Sequence, residues 1–280
     1  MTPTDPEPID VRHLDREQVI ACYRMGDALI DPGPAVSLPN LLEALGDWRP
    51  SKLLLTHIHL DHAGGTGTLV ERWPDVEVWV HERGAKHMID PSRLLASATR
   101  LYGDDMDRLW GEMLPIPEAN VRVLTGGEHI DGWEVAYTPG HASHHVAYRH
   151  EATNWVFTGD VAGVRIAPSA YILAPTPPPD IDIEAWQASV STLEAWKPRG
   201  LAPTHFGLVT DPAEHLARLH VVLETWSELA RRLDEESFLL AARAATASAL
   251  PLADRDALDQ SMPPTHLWPG LDRYWSKREA

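Results

Sequence analysis

The chain has 280 residues, 44% hydrophobic and 23% charged, enough for one sizeable core and unlike either a disordered or a membrane-embedded chain. Its 41 acidic residues against 24 basic ones give a formal charge of −17, which argues against tracking a nucleic-acid backbone. A single cysteine, Cys22, excludes an internal disulfide and a thiolate-rich zinc cage, so any metal must be held by histidine and carboxylate. The opening residues carry no basic start, apolar run or cleavage site, and no later stretch reaches the ~20 apolar residues of a membrane span. A cytoplasmic location without membrane contact is expected. Oligomeric state leaves no mark in the sequence.

In chain order, VIACYRM and GDALID read as strands near the start, with Cys22 a small buried hydrophobe. A helical pattern follows at 36–46, then a strand KLLLT at 52–56, a helix at 66–73 after two glycines, and a strand VEVWVH at 76–81. Residues 92–118 read as helices inserted between strands, and Tyr102 and Trp110 within them suit either core packing or an apolar lid. WEVAYTPG, VAYRH, NWVFTGD and LAPTH continue the strand pattern, with a helix predicted at 184–196. The segment 167–183 holds too many prolines for a regular element. From about 213 the chain is helical, with Leu216, Leu219, Val222, Leu223 and Trp226 on one face. The alternation predicts a layered α/β domain over 1–212, with a helical region at 213–280 packed on it.

The densest chemical signal is Thr56-His57-Ile58-His59-Leu60-Asp61-His62, followed by Ala63-Gly64-Gly65. In extended backbone, residues two apart project to the same side, so His57 and His59 can grip one ion while the bend after Leu60 turns Asp61 and His62 toward a neighbour. Further ligands are available at strand ends: His141 in TPGH, Asp160 in FTGD and His205 in PTHFG.

This pattern, HxHxDH followed by a distant histidine, an aspartate after Thr-Gly and a final histidine, resembles that of the metallo-β-lactamase superfamily over residues 18 to about 208. The resemblance implies a four-layer αββα sandwich with the site at one edge, extended here by C-terminal helices. It implies that His57, His59 and His141 hold one metal, Asp61, His62 and His205 a second, and Asp160 both. Two divalent ions are expected, zinc first, with iron or manganese as alternatives, since imidazole and carboxylate suit all three. Such a pair can share a hydroxide that attacks a small-molecule substrate, an ester, thioester or lactone, with Asp61 orienting it and passing a proton to the leaving group. Asp31 is expected to support the ligand loop, and His145 to stand behind the ligands in the GHxxxH pattern. His81, His87, His144 and His150 read as surface or structural.

Within the resemblance, an aspartate at 160 argues against antibiotic hydrolysis. The tyrosine that lactonases place a few residues later is absent, Gly163 and Val164 standing there, and the basic and tyrosine pattern with which glyoxalase II binds glutathione is not found. Arg165 and Tyr171 are the substrate-binding candidates after Asp160, the arginine for a substrate carboxylate or phosphate. The rival readings are a mononuclear iron oxidoreductase of persulfide dioxygenase type and a phosphodiesterase or nuclease, the latter opposed by the charge.

Overall fold

A computed structural model describes residues 5–279. Eleven strands form two sheets among them. The six-stranded sheet runs β1 (Glu7–Asp10), β2 (Ala21–Met25), β3 (Ala28–Ile30), β4 (Lys52–Leu54), β5 (Glu77–His81), β6 (Val121–Leu124) in spatial order. The five-stranded sheet runs in reverse, from β11 (Gly200–Pro203) through β10 (Trp155–Gly159), β9 (Val146–His150) and β8 (Trp133–Tyr137) to β7 (His129–Ile130). β3 to β6 are parallel, as are β10 and β11, and the other neighbours are antiparallel.

Strand alternation assigns the layers. Tyr23, Leu54, Trp79, Tyr148 and Phe157 belong to one buried cluster between the sheets, while their neighbours Cys22, Leu53, Val78, Val80, Ala147 and Val156 belong to the helix-facing core. Each fully buried leucine or phenylalanine contributes roughly 2–3 kcal/mol. Parallel strands need crossovers, supplied by α1 (Leu38–Leu45), by α2 (Leu60–Ala63) with α3 (Thr66–Arg72), and by α4 (Glu82–Ile89), α5 (Ser92–Tyr102) and α6 (Met106–Leu109). On the other sheet α7 (Ile183–Ala195) carries the chain from β10 to β11. The result is the αββα sandwich. The C-terminal helices are α8 (Pro212–Arg232), α9 (Glu235–Ala249), α10 (Leu252–Ser261) and α11 (Leu267–Glu279). α8 packs on α7 and α11, and its Leu216, Leu219 and Leu223 join the helix-facing core. Among the described residues, no helix is long and apolar enough to cross a membrane.

Several elements escape the sequence pattern. Within the helical insertion predicted over 92–118, the first helix ends at Tyr102, because Gly103 takes φ +54 and a short 3-10 turn follows before α6. α4 follows β5 without a loop, its first turn capped by the His81 ring, which accepts the Arg83 N–H at 3.3 Å. β1, β6 and β7 are short edge or near-edge strands, too brief for periodicity to register.

At one end the two sheets are pinned together through backbone. Val146 N–H donates to the Thr56 carbonyl and Ala21 N–H to the Thr204 carbonyl, both at 2.8 Å. The chemistry-bearing residues collect at that end.

Candidate metal centre

His57 and His59 follow β4 in extended chain, and His59 sits at the start of α2, whose single turn carries Asp61 and His62. His141 follows β8, Asp160 follows β10 directly, and His205 follows β11. Gly140 and Gly159, each just before a ligand, adopt φ +132 and +49; a Cβ would strike Trp186 at the first and Thr56 Oγ1 at the second. These turns therefore require glycine.

The donors converge in two groups. The Nε2 atoms of His57 and His141 each lie 3.0 Å from His59 Nδ1. Donor atoms of Asp61, His62 and His205 lie within 4.8 Å of one another. Asp160 stands between the groups: Oδ2 is 3.3 Å from His141 Nε2, whereas Oδ1 is 3.2 Å from His62 Nε2 and 3.6 Å from His205 Nε2. Asp61 Oδ2 completes the second group, 3.2 Å from His205 Nε2.

The surrounding hydrogen bonds assign the tautomers. His141 Nδ1–H donates to the Pro175 carbonyl at 2.8 Å and His205 Nδ1–H to the Val19 carbonyl at 2.6 Å. His62 Nδ1–H donates to Asp31 Oδ2 at 2.9 Å. Thr56 Oγ1 gives its only hydrogen to Asp31 Oδ2 at 2.6 Å, so it accepts from His57 Nδ1–H at 3.1 Å. Each of these rings therefore turns a bare Nε2 lone pair inward. His62 Nε2, His205 Nε2 and Asp160 Oδ1 are buried with no hydrogen-bond partner among the described residues. Converging unpaired lone pairs in a buried site repel one another, and a divalent cation in each group relieves that; the donor set fits such ions.

Electrostatics agree with this arrangement in the first group of ligands. Burial pushes the pKa values of His57 and His141 down and that of His59 to about 4, so these rings are neutral and free to ligate. For Asp61 and Asp160, burial acts upward, but His62 and the neighbouring histidines outweigh it and hold both carboxyls below the ordinary carboxylate range. At His62 and His205 the same carboxylates overcome burial and raise the pKa, so a metal entering the second group competes with a proton on Nε2.

Asp31 is fully buried beneath the cluster, at φ +47, and besides His62 and Thr56 Oγ1 it accepts from Thr56 N–H and Thr204 Oγ1, both at 2.8 Å. His145 lies behind His57 with ring centroids 4.9 Å apart, its Nδ1 on Thr138 Oγ1 at 2.9 Å. His144 and His81 are buried, His144 Nδ1 accepting the Ile58 N–H at 3.4 Å and His81 stacked on Tyr137. Thr56, Thr204, Val19 and Pro175 support ligands without having been singled out in the sequence. The threonines adjoin the ligand motifs, which was a usable signal, but a carbonyl from a proline-rich loop leaves none.

Arg165 and Tyr171 are occupied elsewhere. The Arg165 guanidinium pairs with Asp211 at 2.8 Å and donates to the Ser169 carbonyl at 3.0 Å, so its charge is already committed and is not a free anion anchor. The Tyr171 hydroxyl meets Thr246 Oγ1 of α9 at 3.3 Å. Arg165→Ala is accordingly expected to lower unfolding stability by about 1 kcal/mol in urea while changing kcat/KM less than about twofold.

A family model described as the metallo-beta-lactamase superfamily matches residues 19–205. The metallo-beta-lactamase fold-containing protein ST1585 of Sulfurisphaera tokodaii is 30% identical over 214 residues, spanning 71% of this chain and 77% of that protein. Its crystal structure superposes with a TM-score of 0.70 at 22% identity, covering 98% of both chains. A hydroxyacylglutathione hydrolase of Pseudomonas aeruginosa is 32% identical over 138 residues, 48% of this chain but only 41% of its own length. The protein TTHA1623, solved in a di-iron-bound form, superposes with a TM-score of 0.50 at 28% identity over 68% of this chain and 90% of its own.

Proposed function

The chain belongs to the metallo-beta-lactamase superfamily, and on that premise we propose that it is a dinuclear metal-dependent hydrolase acting on a small ester, thioester or lactone. The observation that carries this reading is Asp160, one oxygen turned toward His141 and the other toward His62 and His205. In this reading His57, His59 and His141 hold one ion, Asp61, His62 and His205 the other, and Asp160 both. When bound, such ions supply Lewis acidity toward the substrate oxygen and a water acidified toward neutrality. The partial likeness to a hydroxyacylglutathione hydrolase, whose name describes hydrolysis of an acylated glutathione, supports the ester and thioester class.

The protein's own residues divide the remaining work. Asp160 is 3% exposed and locked among imidazoles, whereas the Asp61 side chain is 20% exposed and keeps one face open. Asp61 is thus the carboxylate that can orient the attacking water by hydrogen bond, accept the proton that water gives up and hand it to the leaving group. Asp31, Val19, Pro175 and Thr56 hold the imidazole tautomers, so no ring has to reorganise as charge develops.

Elemental analysis and a panel of thioesters, lactones, phosphodiesters and aryl esters test the reading. Two equivalents of zinc, iron or manganese per chain with ester-class hydrolysis is the expected result; one iron with oxygen uptake would overturn it. Removing the metals with a chelator is expected to abolish turnover and to lower Tm by about 5–10 °C, both restored on adding metal back, because ligands bound well above their Kd stabilise by ~3 kcal/mol.

A further inference from the structure

Three segments outside the ligand set meet beside the centre. His13 stacks on Trp110, centroids 5.4 Å apart and planes 6° off parallel, and its Nε2 faces the Leu109 carbonyl at 2.8 Å. Gln260 at the end of α10 donates to the His13 carbonyl at 2.7 Å. Trp110 meets the ring of Tyr102 edge-on at 5.1 Å, and Tyr102 meets His266 at 5.7 Å. Ser261, next to Gln260, shares its one hydroxyl hydrogen between the Ala257 carbonyl at 2.9 Å and the Val19 carbonyl at 3.2 Å, the latter being the oxygen that fixes His205. The N-terminal loop, the helical insertion and the C-terminal helices are therefore joined through a few contacts to a residue of the centre.

The loop bearing His13 is built to hold it there. Arg12, Leu14, Asp15 and Gln18 all adopt positive φ, which residues other than glycine rarely do, and the Asp10 carboxylate fixes the loop by accepting the N–H groups of Arg12 and Gln18. Backbone ties the insertion to the centre: the Trp110 carbonyl accepts the Val36 N–H at 3.2 Å, and Gly33, three residues earlier, donates to the His62 carbonyl at 3.0 Å. In keeping with that, burial first and then the Asp61 and Asp160 charges push the Tyr102 phenol up. The half-buried Tyr102 hydroxyl has no hydrogen-bond partner among the described residues, whereas those of Tyr23, Tyr148 and Tyr274 are all bonded.

We propose that Tyr102 and His266, backed by the buried Trp110 and His13, form the wall against which the substrate's acyl group lies, with the Tyr102 hydroxyl donating to a substrate oxygen. The preferred substrate class is then an ester, thioester or lactone carrying an apolar or aromatic acyl group. This inference rests on the hydrolase reading and names the specificity of the same site.

The test compares p-nitrophenyl phenylacetate with p-nitrophenyl acetate on metal-replete protein. Tyr102→Phe removes only the hydroxyl, and the expected result is a KM about five- to tenfold higher for both esters, with kcat within about twofold and metal content and Tm unchanged. Tyr102→Ala also removes the ring, and kcat/KM should fall about 30-fold or more on the phenylacetyl ester against about five- to tenfold on the acetyl ester. An unchanged ratio between the two esters in Tyr102→Ala, or losses that track lower metal content, would make Tyr102 a structural residue and overturn the proposal. If the wild-type protein turns over neither ester, the hydrolase reading is what fails, and the wall is then read by calorimetry with phenylacetate on metal-loaded protein. There, binding at least about tenfold weaker in Tyr102→Ala supports the wall and equal binding refutes it.

Discussion

Asp160→Ala is expected to leave the protein folded but to lower kcat/KM by at least ~10³-fold, about 4 kcal/mol of transition-state stabilisation, and to leave it with fewer than two metal equivalents. The size follows from position. Among the described residues Asp160 is the one carboxylate that touches both histidine groups, and it is almost fully buried, so no neighbour can swing in to replace it. Its removal also takes away a negative charge that would help balance the two proposed cations among five imidazoles. Asp160→Asn separates these effects, since one oxygen remains but the charge does not; an intermediate metal occupancy is expected from elemental analysis. Full occupancy and near-native turnover in Asp160→Ala would remove the observation on which the dinuclear reading stands.

How much of the molecule is legible in its sequence depends on the range of the interaction. His57, His59, Asp61 and His62 were legible because four ligating side chains within six positions at a strand end rarely serve any purpose but metal binding. His141, Asp160 and His205 were placed by their strand-end motifs together with the family resemblance; strand and helix alternation pointed to a layered α/β domain, and the resemblance to its two-sheet form. Long-range pairing was not legible. Nothing near Arg165 announces that Asp211 will neutralise it, and nothing in the proline-rich segment announces that the Pro175 carbonyl will set the tautomer of His141. His13 was invisible for a related reason: its place depends on four left-handed residues and on helix α10, which begins more than two hundred positions downstream. Backbone acceptors and contacts between chain ends carry no residue-type signal.

Asp31 shows what such hidden support is worth. Asp31→Ala is expected to lower the unfolding free energy of the metal-free protein by about 3–5 kcal/mol, the range for breaking a buried charged network, measured by urea denaturation. The carboxylate accepts from Thr56 N–H, Thr56 Oγ1, Thr204 Oγ1 and His62 Nδ1, all within 2.9 Å, and Thr56 and His62 are themselves buried. Alanine strands those donors and also fits poorly at φ +47. Asparagine tolerates that backbone, so Asp31→Asn isolates the hydrogen bonding: its oxygen keeps part of the network, while its NH2 faces groups that already donate. A smaller loss of about 2 kcal/mol is expected, with metal affinity weakened about 10- to 100-fold because His62 loses its fixed tautomer. Equal metal affinity in Asp31→Asn and wild type would show that the carboxylate braces only the fold, since a ligand whose ring orientation and proton depend on Asp31 must bind more weakly without it.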